Sequence, residues 1–444
     1  MKNTILIDKG HDIRISGVPR NNYAELILPK TLCIMPSDFR GVKPKLLVNK
    51  EDKVKIGTPL FFDKNKPDVK WASPGCGTIK DIIYGPRRII EKIEINIDGN
   101  EALITNEYSF NDIISIDGNK ILENILKANL FPLIRQRPFN KIPDPNTKPR
   151  DIFISVFNTA PLAIDLDPII ENNKRTFQAG INALSRLTSG DVYVSSSKTY
   201  NFDNAINQKF SGPHPAGNIG IQIHHIKPLK PNEMVWTLNA QNVITIGNLF
   251  LSGKYNPLIN ICVGGSGSSK PQVFTSYTGT SILDLVKNQN LDKPVRIISG
   301  DVLTGKQIKK TDYIGFYDTS ISMISDSVDR PFLGMLSLGD SKTKYSLTNT
   351  FMNFGSNLFD FNTAQKGELR PMVPLNAWEK VLPMDIYPNH LYRSILAEDI
   401  EEMEQLGIWE CDDEDFALCS FACPSKIDVG QVIRKGLDLL EADS

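Results

Sequence analysis

The chain has 444 residues, 41% apolar and 23% charged, and its 50 basic and 51 acidic residues leave a net charge of −1. That length calls for roughly two to four domains. The composition excludes a wholly disordered chain, and the balanced charge supplies no field for steering a nucleic acid.

Six cysteines are too sparse for a disulfide scaffold. Cys33, Cys76 and Cys262 stand alone, whereas Cys411, Cys419 and Cys423 cluster near the end, a usage that suits a reducing compartment. The opening MKNTILIDKGHD carries charges where a signal peptide needs an apolar stretch, so export is not expected. The longest uncharged run, 234–253, contains Asn239, Gln241, Asn242, Asn248 and two glycines. A membrane span wants about 20 mainly apolar residues, so this run fails on content.

From residue 43 to about 97 the pattern is short strands between turns. LLVNKEDKVKIGTPLFFD has a charged turn and a Gly-Thr-Pro corner, and WASPGCGTIKDIIYGPRRIIEKIEINIDG continues with alternating Ile and charged residues. This is the layout of a biotinyl/lipoyl-like β sandwich. Asp63-Lys64 falls near the hairpin where such domains carry a modified lysine, and an ordinary surface lysine is the simpler reading.

A helix is expected from Asn119 to about Asn129. The next stretch, FPLIRQRPFNKIPDPNTKPR, has prolines at 132, 138, 143, 145 and 149, which predicts an extended arm over 131–149 outside regular ladders. Phe131, Arg135, Arg137, Phe139 and Lys141 interleave along it. Such aromatic faces and guanidinium groups suit a quinone or flavin headgroup, or they simply pin the arm to a domain while the cations stay in water. Beyond the arm, strand-like DIFISVF, DVYVSSS and IQIHHI alternate with helical DPIIENNKRTFQAGINALSRL and VWTLNAQNVITIGNLF. That alternation predicts a Rossmann-like α/β domain with a mainly parallel sheet. FSGPHPAGNIGIQIHHI holds three of the five histidines; His224 and His225, adjacent on an expected strand, would face opposite ways and chelate poorly. The glycine-dense loop is expected at the carboxyl edge of the sheet, with His214 a candidate proton donor.

Residues 258–340 turn β-rich again. GGSGSSKP there lacks the second Gly and the hydroxyl residue of a phosphate loop, with Ser269 and Pro271 in those places, and reads as a turn in a β-grasp-like module. The last hundred residues look helical and acidic. Within them ALCSFACP ends in Cys-x3-Cys-Pro, the close of a bacterial ferredoxin ligand run. Counting back in register, however, Phe416 and Asp413 occupy the two earlier ligand positions. Cys419 and Cys423 therefore read as buried structural thiols, and no metal site is expected.

Several stretches resemble one family, the NqrA components of the Na⁺-translocating NADH:quinone reductases. They are KG-D----G-P at 9–19, SPGCGTI at 73–79, FPLIRQRPFNKIPDP at 131–145 and FSGPHPAGNIG at 210–220. KPQVFTSYTG at 270–279, RIISGDVLTG at 296–305, RPMVPLNAWEKVLPMDI at 370–386 and EDFALCSFACPSK at 414–426 complete the set. The resemblance implies a multidomain α/β protein with four parts: a biotinyl/lipoyl-like sandwich (1–100), a Rossmann-like α/β domain (101–257), a β-grasp, SLBB-like module (258–340) and a helical, degenerate ferredoxin-like domain (341–444). It implies a peripheral component on the cytoplasmic face of the inner membrane, with no redox cofactor or complete catalytic site of its own. Ubiquinone would be the substrate, bound with help from Phe131, Arg135, Arg137, Phe139 and His214. NADH, flavins and iron–sulfur centres would belong to partners, namely the membrane subunits NqrB, NqrC, NqrD and NqrE and the NADH-oxidising NqrF. Related architectures occur in the RnfC component of Rnf complexes and in the flavin-bearing component of complex I. An Rnf-like electron carrier and a purely structural docking role are the competing functions. Two departures stand out: the family's Asp-Thr-Asn-Pro-Leu-Ala is Asn158-Thr-Ala-Pro-Leu-Ala163 here, and a family His is Gln222.

Overall fold

The computed structural model of the chain describes residues 4–19, 25–326, 345, 347, 358–364 and 370–443. The 327–340 end of the expected β-grasp segment lies outside them, as does much of 341–369. Two short strands come first, β1 (Ile5–Leu6) and β2 (Glu25–Leu26), and both join sheets built from later sequence. The barrel-sandwich module then uses β3 (Thr31–Ile34), β4 (Pro44–Leu46), β5 (Lys53–Val54), β6 (Pro59–Asp63), β7 (Lys66–Ala72), β8 (Cys76–Tyr84) and β9 (Ile90–Gly99). They form a four-stranded sheet, β3-β9-β8-β5, and a three-stranded one, β4-β6-β7, around a shared core. Alternation along IEKIEINIDG turns Ile93 and Ile95 inward, and Phe61 stacks on Trp71 with ring centroids 4.5 Å apart. At the β6–β7 turn the Asp63 carboxylate accepts the N–H groups of Lys43 and Asn65, which leaves Lys64 exposed at the tip.

The α/β part runs α1 (Gly118–Lys127), β10 (Arg135–Arg137), β11 (Ile152–Ser155), α2 (Asp167–Asn172), α3 (Lys174–Leu184), β12 (Val192–Ser196), β13 (Ile206–Ser211), α4 (Ile219–Ile226), β14 (Val235–Asn239) and α5 (Ala240–Ser252). Its sheet order is β1-β13-β12-β11-β14-β10. β11 lies parallel to β12 on one side and to β14 on the other, so strand order reverses between β11 and β14. Side chains alternate across the sheet: Ile152 and Ile154 join the core with Phe177 of α3 and Val243 of α5, while Phe153 packs with Ile219 and Ile223 of α4 on the opposite face.

The third module uses β15 (Leu258–Gly264), β16 (Gln272–Tyr277), α6 (Ile282–Leu285), β17 (Val295–Ser299), β18 (Lys306–Ile308) and β19 (Ser320–Ser325). Its mixed sheet is ordered β18-β17-β19-β15-β16-β2, with β15 and β19 parallel between two antiparallel pairs. GGSGSSKP is the turn joining β15 to β16. At the C-terminus α7 (Pro388–Ala397), α8 (Ile400–Gln405), α9 (Asp413–Ala422) and α10 (Val429–Asp443) pack Leu391, Met403, Phe416, Ile433 and Leu437 into one core, which also takes in Ile7 and Phe210 of the α/β part. No helix among the described residues is long and apolar enough to cross a membrane.

Three expectations are corrected. The arm does enter a ladder, because Arg135–Arg137 pairs antiparallel with β14. Its prolines flank the strand and do not interrupt it, and the prolyl bond after Arg137 is cis. IQIHHI belongs to helix α4 and is not a strand; the glycine-rich approach supplies the N-cap Asn218, and three isoleucines of the helix bury. His224 and His225 accordingly do not face opposite ways: their rings meet edge to face 5.2 Å apart. Finally VWTLN is strand β14, and Asn239 caps α5 by accepting the N–H of Asn242.

α3 and α5 meet through two glycines. A Cβ on Gly180 would lie 2.2 Å from the Val243 carbonyl, and one on Gly247 would lie 1.9 Å from the Thr176 carbonyl. Gly247→Val is therefore expected to force the helices apart and cost about 1–3 kcal/mol, read from the midpoint of urea unfolding.

Candidate functional site

In open α/β sheets a ligand crevice forms outside the carboxyl ends of the strands where their order reverses. Here that point lies beyond Ser155 of β11 and Asn239 of β14, and a pocket of about 180 Å³ occupies it. Ser155, Phe157 and Asn158 line it from β11, and Thr237 to Asn239 from β14. The start of α4, Arg135 and His214 complete the α/β walls, while Asp301 and Thr304 of the third module and Glu414 of α9 close it. A larger cleft of about 830 Å³ shares Arg135, Asn158, Asp301, Thr304 and Glu414 and runs out between the third module and α10. The site is thus assembled from three modules.

Arg135 sits at the meeting point. β10 fixes its backbone opposite Thr237, and its guanidinium lies over the Tyr317 ring, 4.7 Å from the centroid. Tyr317 is oriented by its hydroxyl, which donates to the Pro132 carbonyl at 2.8 Å. His214 is buried beside the pocket. Its backbone N–H donates to Asp12 Oδ1 (2.9 Å), its carbonyl accepts from the His11 N–H (2.7 Å), and its Nδ1 lies 3.2 Å from Thr159 Oγ1. Burial pushes the imidazole pKa down, so the ring is neutral at neutral pH. Asp301 is committed to its own loop, accepting from the N–H groups of Leu303 and Thr304 and from the Thr304 hydroxyl.

Behind Tyr317 a second cavity of about 540 Å³ contains Asp38 and Asp318. Asp318 accepts the Ser299 hydroxyl at 2.6 Å, and that hydroxyl accepts the Gly315 N–H. Burial pushes the Asp318 carboxyl up and raises Asp38 to about 6, opposed at Asp38 by the hydrogen bond from the Phe316 N–H. The sequence signal for this wall was RIISGDVLTG, whose Gly300 takes a left-handed φ of 94°. Nothing local announced Tyr317, Asp38 or Asp318.

Of the residues expected at a headgroup site, the fold brings Arg135 and His214 together in one pocket. The other three are engaged elsewhere. Phe131 is fully buried edge to face on Trp236, and Phe139 is buried against Trp409, its carbonyl accepting from Arg434. Arg137 is buried at 3% side-chain exposure, with Nη1 2.9 Å from Asp412 and Nη2 paired with Glu414. Cys411, Cys419 and Cys423 are buried free thiols, and burial pushes the first two well above the usual thiol range. In the ferredoxin register Asp413 is ion-paired to Arg434 and Phe416 is core. Among the described residues no group of three or more His, Cys, Asp and Glu is placed to hold a metal.

The fold and this inter-module crevice define a multidomain α/β protein of the barrel-sandwich and SLBB type. Family profiles agree: "NqrA N-terminal barrel-sandwich hybrid domain" matches residues 5–98, "NqrA second alpha/beta domain" residues 116–255 and "NQRA C-terminal domain" residues 260–310. A protein of Saccharophagus degradans, by name the NqrA component of a Na(+)-translocating NADH-quinone reductase, is 37% identical over 447 residues, covering 99% of this chain and 100% of that one. Proteins of the same name from Marinomonas sp. and Neisseria meningitidis serogroup B are each 34% identical, over 98% and 99% of this chain and 99% and 100% of theirs. The chain belongs to the NqrA family of the Na⁺-translocating NADH-quinone reductase, an oxidoreductase complex of several subunits.

Removing the Arg137 guanidinium in Arg137→Ala strips Asp415 of its cation and leaves Asp412 to Arg434 and Asn140 in the interior, and denaturant titration should show a loss of about 3–5 kcal/mol. For Asp38 the folded carboxyl, raised from 3.8 to about 6, binds its proton more tightly than the unfolded one. Its contribution to stability is therefore full below about pH 4 and fades as pH rises through about 6, an effect of up to roughly 3 kcal/mol. Unfolding curves of Asp38→Asn between pH 4 and 7 should lack that slope.

Proposed function

We propose that this chain is the peripheral component of the sodium-pumping reductase that contributes to ubiquinone binding without carrying a redox cofactor. In this reading it sits at the cytoplasmic face of the inner membrane, against the membrane subunits NqrB, NqrC, NqrD and NqrE and the NADH-oxidising NqrF. The observation that carries it is the convergence of Arg135 and His214 on one crevice at the strand reversal, with the Tyr317 ring under Arg135 in the adjoining cleft. A cation and a neutral imidazole can donate to quinone carbonyl oxygens, and an aromatic face can cover the ring. The crevice opens into the polar cleft lined by Asp413, Gln431 and Arg434, which suits a headgroup; an isoprenoid tail would have to leave toward a partner.

Titrating the purified chain with a short-tail ubiquinone analogue in a calorimeter should give saturable binding. Arg135→Ala and His214→Ala should each weaken it about tenfold, close to 1.4 kcal/mol. Phe131→Ala should lower stability without a matching loss of affinity per folded molecule. No saturable binding, or binding indifferent to both Arg135 and His214, removes the quinone site and leaves a docking role. Stoichiometric iron or flavin in the same preparation would favour an electron carrier instead.

A further inference from the structure

A further cavity of about 180 Å³ lies where the barrel-sandwich module, the arm, the third module and α10 meet. Four cations line it. Arg40 enters from the loop between β3 and β4, Arg135 and Lys141 from the arm, and Arg434 from α10. The carboxyl groups on its walls are those of Asp38 and Asp413, and Asp413 is committed to Arg434. Among the described residues Arg135 makes no ion pair; its guanidinium rests on the Tyr317 ring. Arg40 is paired there through Nη2 alone, with Asp438, whose side chain is 55% exposed. Lys141 is paired with Glu441 and lies over the Phe139 ring. Such partly exposed pairs contribute about 0–1 kcal/mol and yield to a better-placed acceptor. Burial and the neighbouring Arg434 charge push the Arg40 pKa down, against the pull of Asp412, Glu441 and Asp413.

Like charges gathered around one space repel, and an anion between them relieves the repulsion. A planar carboxylate serves a single guanidinium fork, whereas the donors here arrive from three separate elements. A tetrahedral oxyanion turns oxygens in all of those directions, and arginine is the side chain best matched to it. We propose that this cavity is a phosphate site, taking inorganic phosphate or the phosphate group of an ester, with Arg40, Arg135, Lys141 and Arg434 as its cations. The cavity shares Arg135, Asp413 and Arg434 with the cleft of about 830 Å³, which is where the organic body of an ester would lie. Asp38 is the wall group that opposes an anion, since it is not paired with one of the four cations. Arg40 and Lys141 line this cavity and not the switch-point pocket, so the inference stands apart from the quinone reading, although Arg135 borders both.

The test titrates the full chain with sodium phosphate, read by the ³¹P shift and by the melting temperature, against sodium chloride at equal ionic strength. Saturable binding is expected, with a melting temperature that rises with phosphate and not with chloride. Arg40→Gln and Lys141→Gln should each weaken binding about tenfold. Both side chains are 26% exposed, so the variants should fold, and if one does not the other decides. Asp38→Asn keeps the shape of the wall and removes its charge, so it should tighten binding. Lys50→Gln, at an exposed pair with Asp81, should leave it unchanged. Glycerol 3-phosphate in a parallel titration separates the sources: tighter binding than phosphate assigns an ester, and equal or weaker binding assigns the free anion. No saturable phosphate binding, equal stabilisation by chloride, binding indifferent to Arg40 and Lys141, or binding that Asp38→Asn does not tighten would each overturn the proposal. None of these outcomes bears on the quinone titration, which turns on His214 as well as Arg135.

Discussion

The arrangement depends on one buried cation. Arg137 lies on β10, the edge strand of the α/β sheet, yet it is paired with carboxyl groups of the C-terminal helices, Asp412, Glu414 and Asp415. Withdrawing a guanidinium from water is costly, and the cost is offset only where acceptors are close and themselves fixed. Here they are fixed: Asp412 and Asp413 are held in turn by Arg434 of α10, and Arg434 also donates to the Phe139 carbonyl, back on the arm. The loop of interactions runs arm, α9, α10, arm. A hydrophobic face alone holds modules together without direction; this loop fixes one relative placement.

That placement creates the crevice. The strand reversal between β11 and β14 would be an open trough in an isolated α/β domain. In this chain α9 and the loop from Asp301 to Thr304 roof it, and Arg135 faces the crevice. Residues two apart on a strand share a face and stand about 7 Å apart along it. That step is enough to divide the work of the two arginines. Arg137 reaches the carboxylates at the start of α9 and serves assembly. Arg135, farther along, lies over Tyr317 and is available to a ligand.

Much of this was legible in the sequence wherever periodicity and turn chemistry agree. The alternating isoleucines of β9, the buried run of β11 and the acidic helices near the end folded as their patterns dictate. IQIHHI misled because three isoleucines in six residues carry β propensity, and only the preceding Asn-Ile-Gly and the packing against Phe153 decide for a helix. The arm misled for the opposite reason: proline density argues against a ladder, but the three residues between Pro132 and Pro138 that pair with β14 contain none. Arg135 and His214 were visible as chemistry-bearing residues. That they meet, while Phe131, Arg137 and Phe139 turn away, depends on contacts spanning tens to hundreds of positions, which no local pattern encodes. Tyr317, Asp38 and Asp318 were invisible for the same reason.

The cysteines near the end show that a ferredoxin-like spacing can sit in a packed helical core. Cys419 and Cys423 are one helical turn apart and sit in the C-terminal core, with Cys423 donating its N–H to the Cys419 carbonyl at the end of α9. The two positions that would complete a ferredoxin-type register sit on the same helix. One, Phe416, is fully buried in that core, and the other, Asp413, is ion-paired with Arg434. A buried thiol with its pKa pushed up is a small apolar side chain and a poor ligand, and Cys419 is in that condition. The acidic groups of this helix lie at its other end, where Asp412, Glu414 and Asp415 face Arg137. What α9 presents to the rest of the chain is thus a packed thiol face at its C-terminal end and an acidic N-terminus. That combination serves docking against the α/β sheet, and it makes the helix the element on which the shape of the crevice rests.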